Sequence, residues 1–278
     1  MSKIKIYAFS DEASPWVDQQ IAALLRNGLG GMEIRNVDGV NVADITREKA
    51  KEVKEKMDAH GLCVWSIGSP IGKITLQEDF EKHLEKFRHT LEIASILNAK
   101  NLRLFTFFLP KNSDPRAYKE QVFARLGQLV EAAKGYDITL CHENEKGIYG
   151  DVPERCLEIH RQFPPIKAVF DPANFVQCGV DTLKAWALLK DHVHYMHIKD
   201  ALEDGFVVPS GKGVGNVQQI AKDFIARGGK EFTVEPHLKV FDGFDKLEHG
   251  EGFKAHCEFA SNEIAFDAGC QSFKELLK

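Results

Sequence analysis

The sequence has 278 residues, 44% hydrophobic and 28% charged, with a net charge of 36 − 41 = −5. That length does not force a division into two domains, since (β/α)₈ barrels reach roughly 250 residues as one unit. No stretch approaches the roughly 18 uninterrupted apolar residues of a membrane span, and no basic run interleaved with aromatics offers a nucleic-acid groove.

Apolar runs set against turn signals predict a strand over Ile4–Phe9, a helix over Pro15–Arg26, a strand over Gly31–Arg35 and a helix over Thr46–His60. The alternation continues through strand Leu62–Ile67, helix Glu78–Leu97, strand Asn101–Phe107 and helix Pro115–Lys134, each helix followed by a link containing Gly or Asn. The second half gives Ile138–Glu143 with Val152–Gln162, Ile166–Asp171 with Leu183–Leu189, Val193–Ile198 with Val217–Arg227, and Phe232–Glu235 with a terminal helical region. Eight strand–helix units without a linker or a break in composition predict an α/β fold. We expect one (β/α)₈ TIM-barrel domain over residues 1–278.

The opening Met1-Ser-Lys-Ile-Lys alternates charged and apolar residues and lacks the continuous apolar stretch of a secretory signal. The six cysteines, Cys63, Cys141, Cys156, Cys178, Cys257 and Cys270, show no CxxC pair or regular spacing, so reduced thiols in a cytoplasmic protein are expected. The glycine-rich loop Glu203–Asn216 is the longest irregular stretch after a late strand and could cover a site.

Four consecutive late strands end in residues able to hold a metal: Thr-Leu-Cys-His-Glu143, Ala-Val-Phe-Asp171, His-Tyr-Met-His197 and Phe-Thr-Val-Glu235. Their separations of 28, 26 and 38 residues each match about one strand–helix unit, which brings all four side chains to one mouth of a barrel. Three carboxylates packed there would disfavour one another's ionisation, and a divalent cation turns that repulsion into binding. Carboxylate and imidazole ligands without thiolate suit one Mn²⁺, Mg²⁺, Co²⁺ or Zn²⁺ ion. Taken singly, each of these residues reads as well as a helix cap, a lysine partner or a core histidine.

At these positions the sequence resembles the xylose-isomerase-like superfamily of sugar phosphate isomerases and epimerases, which includes ketose 3-epimerases and inosose dehydratases. The resemblance runs the length of the chain. It is carried by His142-Glu143-Asn144, by Phe170-Asp171-Pro-Ala-Asn174, by His197-Ile-Lys199-Asp200, by Gly211-Lys-Gly-Val-Gly215, by Val234-Glu235-Pro-His237 and by Gly31-Met-Glu33-Ile-Arg35. It implies a metal site of Glu143, Asp171, His197 and Glu235, with Glu143 and Glu235 also the catalytic acid/base pair, acting on a small sugar or sugar phosphate. Departures touch the substrate contacts: Asn174 stands where the ketose epimerases carry a histidine, and Glu203 where they carry an arginine. The many strand-end histidines of the endonuclease IV branch are missing, and with them the case for DNA repair.

Further substrate-binding candidates are Glu33, Arg35, Asn174, Lys199, Lys212 and His237. Glu33 and Arg35 read equally as a buried pair bracing the barrel, and Lys199 as a partner for Asp171 or Asp200. Lys212 lies in a loop without Walker spacing, so a lid or a phosphate contact suits it better than ATP binding. Trp65 and Phe107 suit either a pocket wall or the core, whereas His142, His192 and His194 fall on the other strand phase and read as packing or surface residues. The functional expectation is a metal-dependent isomerase or epimerase. Its alternatives are an inosose-type dehydratase on the same site and a non-enzymatic sugar-binding protein, and homo-oligomers are compatible with any of the three.

Overall fold

Short apolar segments alternate with amphipathic ones along the chain. In the computed structural model, which describes residues 4–241 and 258–278, they form strands and helices in turn. The principal strands are β1 (Lys5–Ala8), β2 (Gly31–Ile34), β3 (Cys63–Ile67), β4 (Asn101–Leu104), β5 (Thr139–Glu143), β6 (Lys167–Phe170), β7 (Val193–Ile198) and β8 (Glu231–Val234). All pair in parallel in the order β1-β8-β7-β6-β5-β4-β3-β2, and β2 meets β1 again. Closure satisfies every strand edge, so the expected (β/α)₈ barrel is formed.

The helices are α1 (Val17–Arg26), α2 (Arg47–Ala59), α3 (Phe80–Ile96), α4 (Lys119–Ala132), α5 (Pro153–Gln162), α6 (Pro172–Gln177), α7 (Thr182–Leu189), α8 (Val217–Ala226) and α9 (Asn262–Leu276). Their limits follow local chemistry. The side chains of Thr46, Asp79, Asp181 and Ser261 accept hydrogen bonds from first-turn amides of α2, α3, α7 and α9. On α1 the buried residues Val17, Ile21 and Leu24 recur at helical spacing and face the strands. Elsewhere Phe224 of α8 meets Phe232 of β8 with ring centroids 5.4 Å apart, and Phe232 meets Phe273 of α9 at 5.1 Å. This layer of rings fills the space between barrel and helices.

Two expectations change. The strand expected over Asn101–Phe107 stops at Leu104, because the amides of Phe105 and Phe107 turn to the carbonyls of Ile71 and Gly72. The loop Glu203–Asn216 is partly ordered: Val207–Val208 pairs antiparallel with Asp200–Ala201. The carboxylate of Asp200 then accepts the amides of Gly211, Gly213 and Gly215 at 2.8–3.1 Å. That internal anion cradle fastens the loop beside the C-terminal end of β7. No helix among the described residues is long and apolar enough to cross a membrane.

Candidate metal centre and its surroundings

Glu143 ends β5, Asp171 follows β6, His197 is next to last in β7 and Glu235 follows β8, so the four occupy an arc of adjacent strands. All are buried, and one possible ligand atom from each lies within 4.8 Å of the rest. His197 Nδ1 stands 2.9 Å from Glu143 Oε1 and 3.5 Å from Glu235 Oε2. Its other nitrogen, Nε2, is 3.1 Å from Glu33 Oε2. Glu33 in turn accepts from Tyr195 Oη at 2.8 Å and Ser66 Oγ at 3.1 Å. Such an outer carboxylate fixes the ring orientation of a histidine that presents its opposite nitrogen to a metal.

Asp171 is held from behind. Its Oδ1 accepts the Asn174 amide at 3.0 Å, capping α6, and its backbone exchanges two hydrogen bonds with the Asn144 side chain. Asn174 Nδ2 donates to the Asn144 carbonyl at 2.8 Å and to Glu143 Oε1 at 3.3 Å, so this side chain braces two of the four residues.

The residues present fit a divalent cation. Buried Glu143 Oε2 and Asp171 Oδ2 have no hydrogen-bond partner, although Arg103 Nη1 and Lys199 Nζ stand at 3.1 and 2.9 Å from them. Burial raises the Asp171 carboxyl to about 7, with Lys199 opposing and Glu143 and Glu235 adding to the rise. Burial alone would lower the His197 pKa, but Glu143 and Glu33 hold it well above its ordinary value. A crowd of carboxylates that draws protons in this way is a place where positive charge is stabilised. A second group of Glu12, Glu235 and His237 also lies close together. Its counter-charge is the Arg35 guanidinium, 3.0 Å from Glu235 Oε1 and 3.2 Å from Glu12 Oε1.

Arg35 is the hub of this second group. It forms a bidentate pair with Asp11 at 2.9 and 3.0 Å and lies between the rings of Phe9 and Phe241 at 4.5 and 4.6 Å. Each terminal glutamate of the arc is therefore paired with an arginine, Glu143 with Arg103 and Glu235 with Arg35. For Glu235 burial is outweighed by Lys199, His237 and His197, which hold its carboxyl well below the usual range. The centre borders a small polar cavity of about 10 Å³, room for about one water molecule.

A family model described as xylose isomerase-like TIM barrel matches residues 21–253. The chain belongs to that family. No curated protein sequence matches it. Among solved structures, a D-allulose 3-epimerase from Methylomonas sp. in complex with D-allulose superposes with a TM-score of 0.74 at 15% identity, covering 98% of this chain and 96% of that one. The probable 3-DHS dehydratase AsbF of Bacillus anthracis gives a TM-score of 0.74 at 15% identity, over 98% of both chains. A xylose isomerase-like protein of Mycobacterium smegmatis in complex with magnesium gives 0.71 at 15% identity, over 100% of both.

The remaining sequence candidates divide. Arg35, Asn174, Lys199 and His237 line the cavity together with Glu143 and Glu235. Glu33 does not line it, and neither expectation for Glu33 describes its contacts: its partner is His197, while Arg35 turns to Asp11, Glu12 and Glu235. Lys199 pairs with Asp171 rather than Asp200, whose carboxylate serves the glycine loop. Lys212 is exposed on that loop and outside the cavity lining. Trp65 stacks on Tyr7 and Phe107 packs on Phe80, so neither walls the pocket. His142 bonds Thr106, His194 bonds Asn101 and His192 stacks on His160, all apart from the arc.

Sequence reasoning missed Lys73, Arg103, Phe105 and Glu145, which also line the cavity. Arg103 carried a signal: a charged residue between Leu102 and Leu104 in a buried strand points inward and needs a partner there. Glu145 repeats the phase of Glu143 two residues on, and it meets Lys73 at 3.0 Å.

Proposed function

We propose that the protein is a divalent-metal-dependent isomerase or epimerase of a small sugar or sugar phosphate. Glu143, Asp171, His197 and Glu235 would hold the ion, and Glu143 and Glu235 would also move the proton. The observation that carries this reading is the placement of the two glutamates at opposite ends of the four-strand arc, each braced by its own arginine. A bound ion would polarise the substrate carbonyl and offset the negative charge of the enediolate formed when the neighbouring carbon loses its proton.

The chain's own groups account for the rest. The guanidiniums of Arg35 and Arg103 hold the two glutamates in place, at 3.0 Å from Glu235 and 3.1 Å from Glu143. One glutamate takes the proton from carbon, and the other delivers a proton to the opposite face, inverting the centre. Return to the adjacent carbon would instead interconvert aldose and ketose. Asn174 holds Glu143 in position, and the small buried cavity keeps bulk water from the carbanionic carbon.

Support from relatives is consistent with this chemistry: among similar folds one binds magnesium and another is an epimerase holding D-allulose. A dehydratase is the second reading. It is favoured by Glu145, a third carboxylate in the cavity, paired with Lys73, and by the similarity to a probable dehydratase.

The test combines elemental analysis of the purified protein with turnover of ketoses, their phosphates and inososes in D₂O. An epimerase or isomerase incorporates deuterium into products of unchanged composition, whereas a dehydratase releases a product lighter by one water. Glu143→Gln and Glu235→Gln should each lower turnover by about 10²–10⁴-fold. Full turnover in Glu143→Gln would refute the mechanism. Ligand-dependent stabilisation with no turnover of any sugar would favour a binding protein.

A further inference from the structure

Lys199 lies one residue beyond β7, two after His197 and so on the same strand phase, with its side chain buried. Its ammonium is 2.9 Å from Asp171 Oδ2 and 3.1 Å from Glu235 Oε2. The other oxygens of these carboxylates are already committed, Asp171 Oδ1 to the Asn174 amide and Glu235 Oε1 to Arg35. Lys199 therefore sits on the two oxygens that Asp171 and Glu235 have left for a metal. Asp171 Oδ2 is without a hydrogen bond of good geometry even so.

We infer that Lys199 is a built-in counter-ion which a divalent cation must displace from Asp171 and Glu235, so that metal occupancy delivers its ammonium to the substrate cavity. The inference rests on the metal-dependent reading of the site given above. An ammonium and a divalent ion on the same two carboxylate oxygens repel each other with little screening in a buried site, which opposes their sharing the pair. The lysine stem is flexible, and its head group already borders the cavity, where Glu145 offers a carboxylate opposite Lys73. The displaced ammonium then faces a substrate oxygen, where it stabilises developing negative charge. Metal-free protein keeps this cation locked on the ligands. Binding the ion and arming the lysine become one event, and the ligand carboxylates are never left without a counter-charge.

The experiment titrates Mn²⁺ into chelator-treated protein, reading free Mn²⁺ by electron paramagnetic resonance, for the unaltered chain and for Lys199→Met and Lys199→Arg. Lys199→Met should bind Mn²⁺ at least about tenfold more tightly, since competitor and repulsion are both removed. Lys199→Arg, which keeps the charge, should show no such gain. With chelator present Lys199→Met should melt below the unaltered protein, and saturating Mn²⁺ should close that gap. Should Lys199→Met need metal to fold, the rate of Mn²⁺ release to excess chelator replaces the titration, with slower release expected. Trace acetylation of the unaltered protein, read by mass spectrometry, should show Lys199 becoming more reactive on Mn²⁺ loading. Equal or weaker Mn²⁺ binding by Lys199→Met, or unchanged Lys199 reactivity, would overturn the inference while leaving the metal site standing. No Mn²⁺ uptake by the unaltered chain would instead overturn the metal-dependent reading itself.

Discussion

Replacing Arg35 by Met isolates the electrostatic role of the buried hub beside the candidate metal centre. The methionine keeps the apolar stem between Phe9 and Phe241, so little packing is lost. What disappears is the cation shared by Asp11, Glu12 and Glu235, in a place where Arg35 is 1% exposed. Removing one member of a buried ion-pair network costs about 3–5 kcal/mol, because the remaining charges stay desolvated without a partner. For a domain of this size that corresponds to a fall in Tm of roughly 6–20 °C. The assay is urea unfolding with chelator present, at pH 6 and pH 8. Arg35 opposes the burial that raises the Glu12 carboxyl to about 8, so without it Glu12 holds its proton still more tightly in the folded state and the loss should grow with pH. A loss below about 1 kcal/mol at both pH values would refute the reasoning, since it would mean that the carboxylates need no internal cation.

Glu12 is raised to about 8 by burial, with Arg35 opposing, so its folded pKa exceeds its unfolded one. Its stabilising proton is fully present below the unfolded value and is lost as pH rises through about 8. Glu12→Gln should therefore remove a declining limb in plots of stability against pH between about 5 and 8, worth at most about 1.4 kcal/mol per pH unit; parallel curves for the two proteins would contradict this. Gly213→Ala tests the loop cradle. An added Cβ would lie 2.3 Å from Asp200 Oδ1 and 2.4 Å from the Ala201 carbonyl oxygen, which is backbone and cannot yield cheaply. The expected loss is about 1–3 kcal/mol with faster proteolysis within the loop, and an unchanged melting temperature would count against the cradle.

The barrel was legible because its evidence is local. Strand and helix periods are written into runs of five to fifteen residues, and chain order alone then dictates which strand ends share a mouth. Glu143, Asp171, His197 and Glu235 each follow an apolar run, so their convergence could be foreseen. The true partner of Glu33 could not. Alternation places its side chain inward, but only the closed barrel sets it against His197, 164 residues away in sequence.

Residue type and spacing by themselves determined the fold class, the phase of each strand and the donor set offered at the barrel mouth. Tertiary structure alone decided how the charges are shared out. Arg35 reaches Glu235 across 200 residues because β8 closes on β1 and β1 on β2. Arg103 meets Glu143 across β4 and β5, and Lys199 settles on Asp171 rather than on Asp200 because three glycine amides have already satisfied the latter. A charged side chain reveals in sequence only that it must find a partner. Which one it finds depends on distances of a few ångströms between distant strands, and these exist only once the barrel has closed.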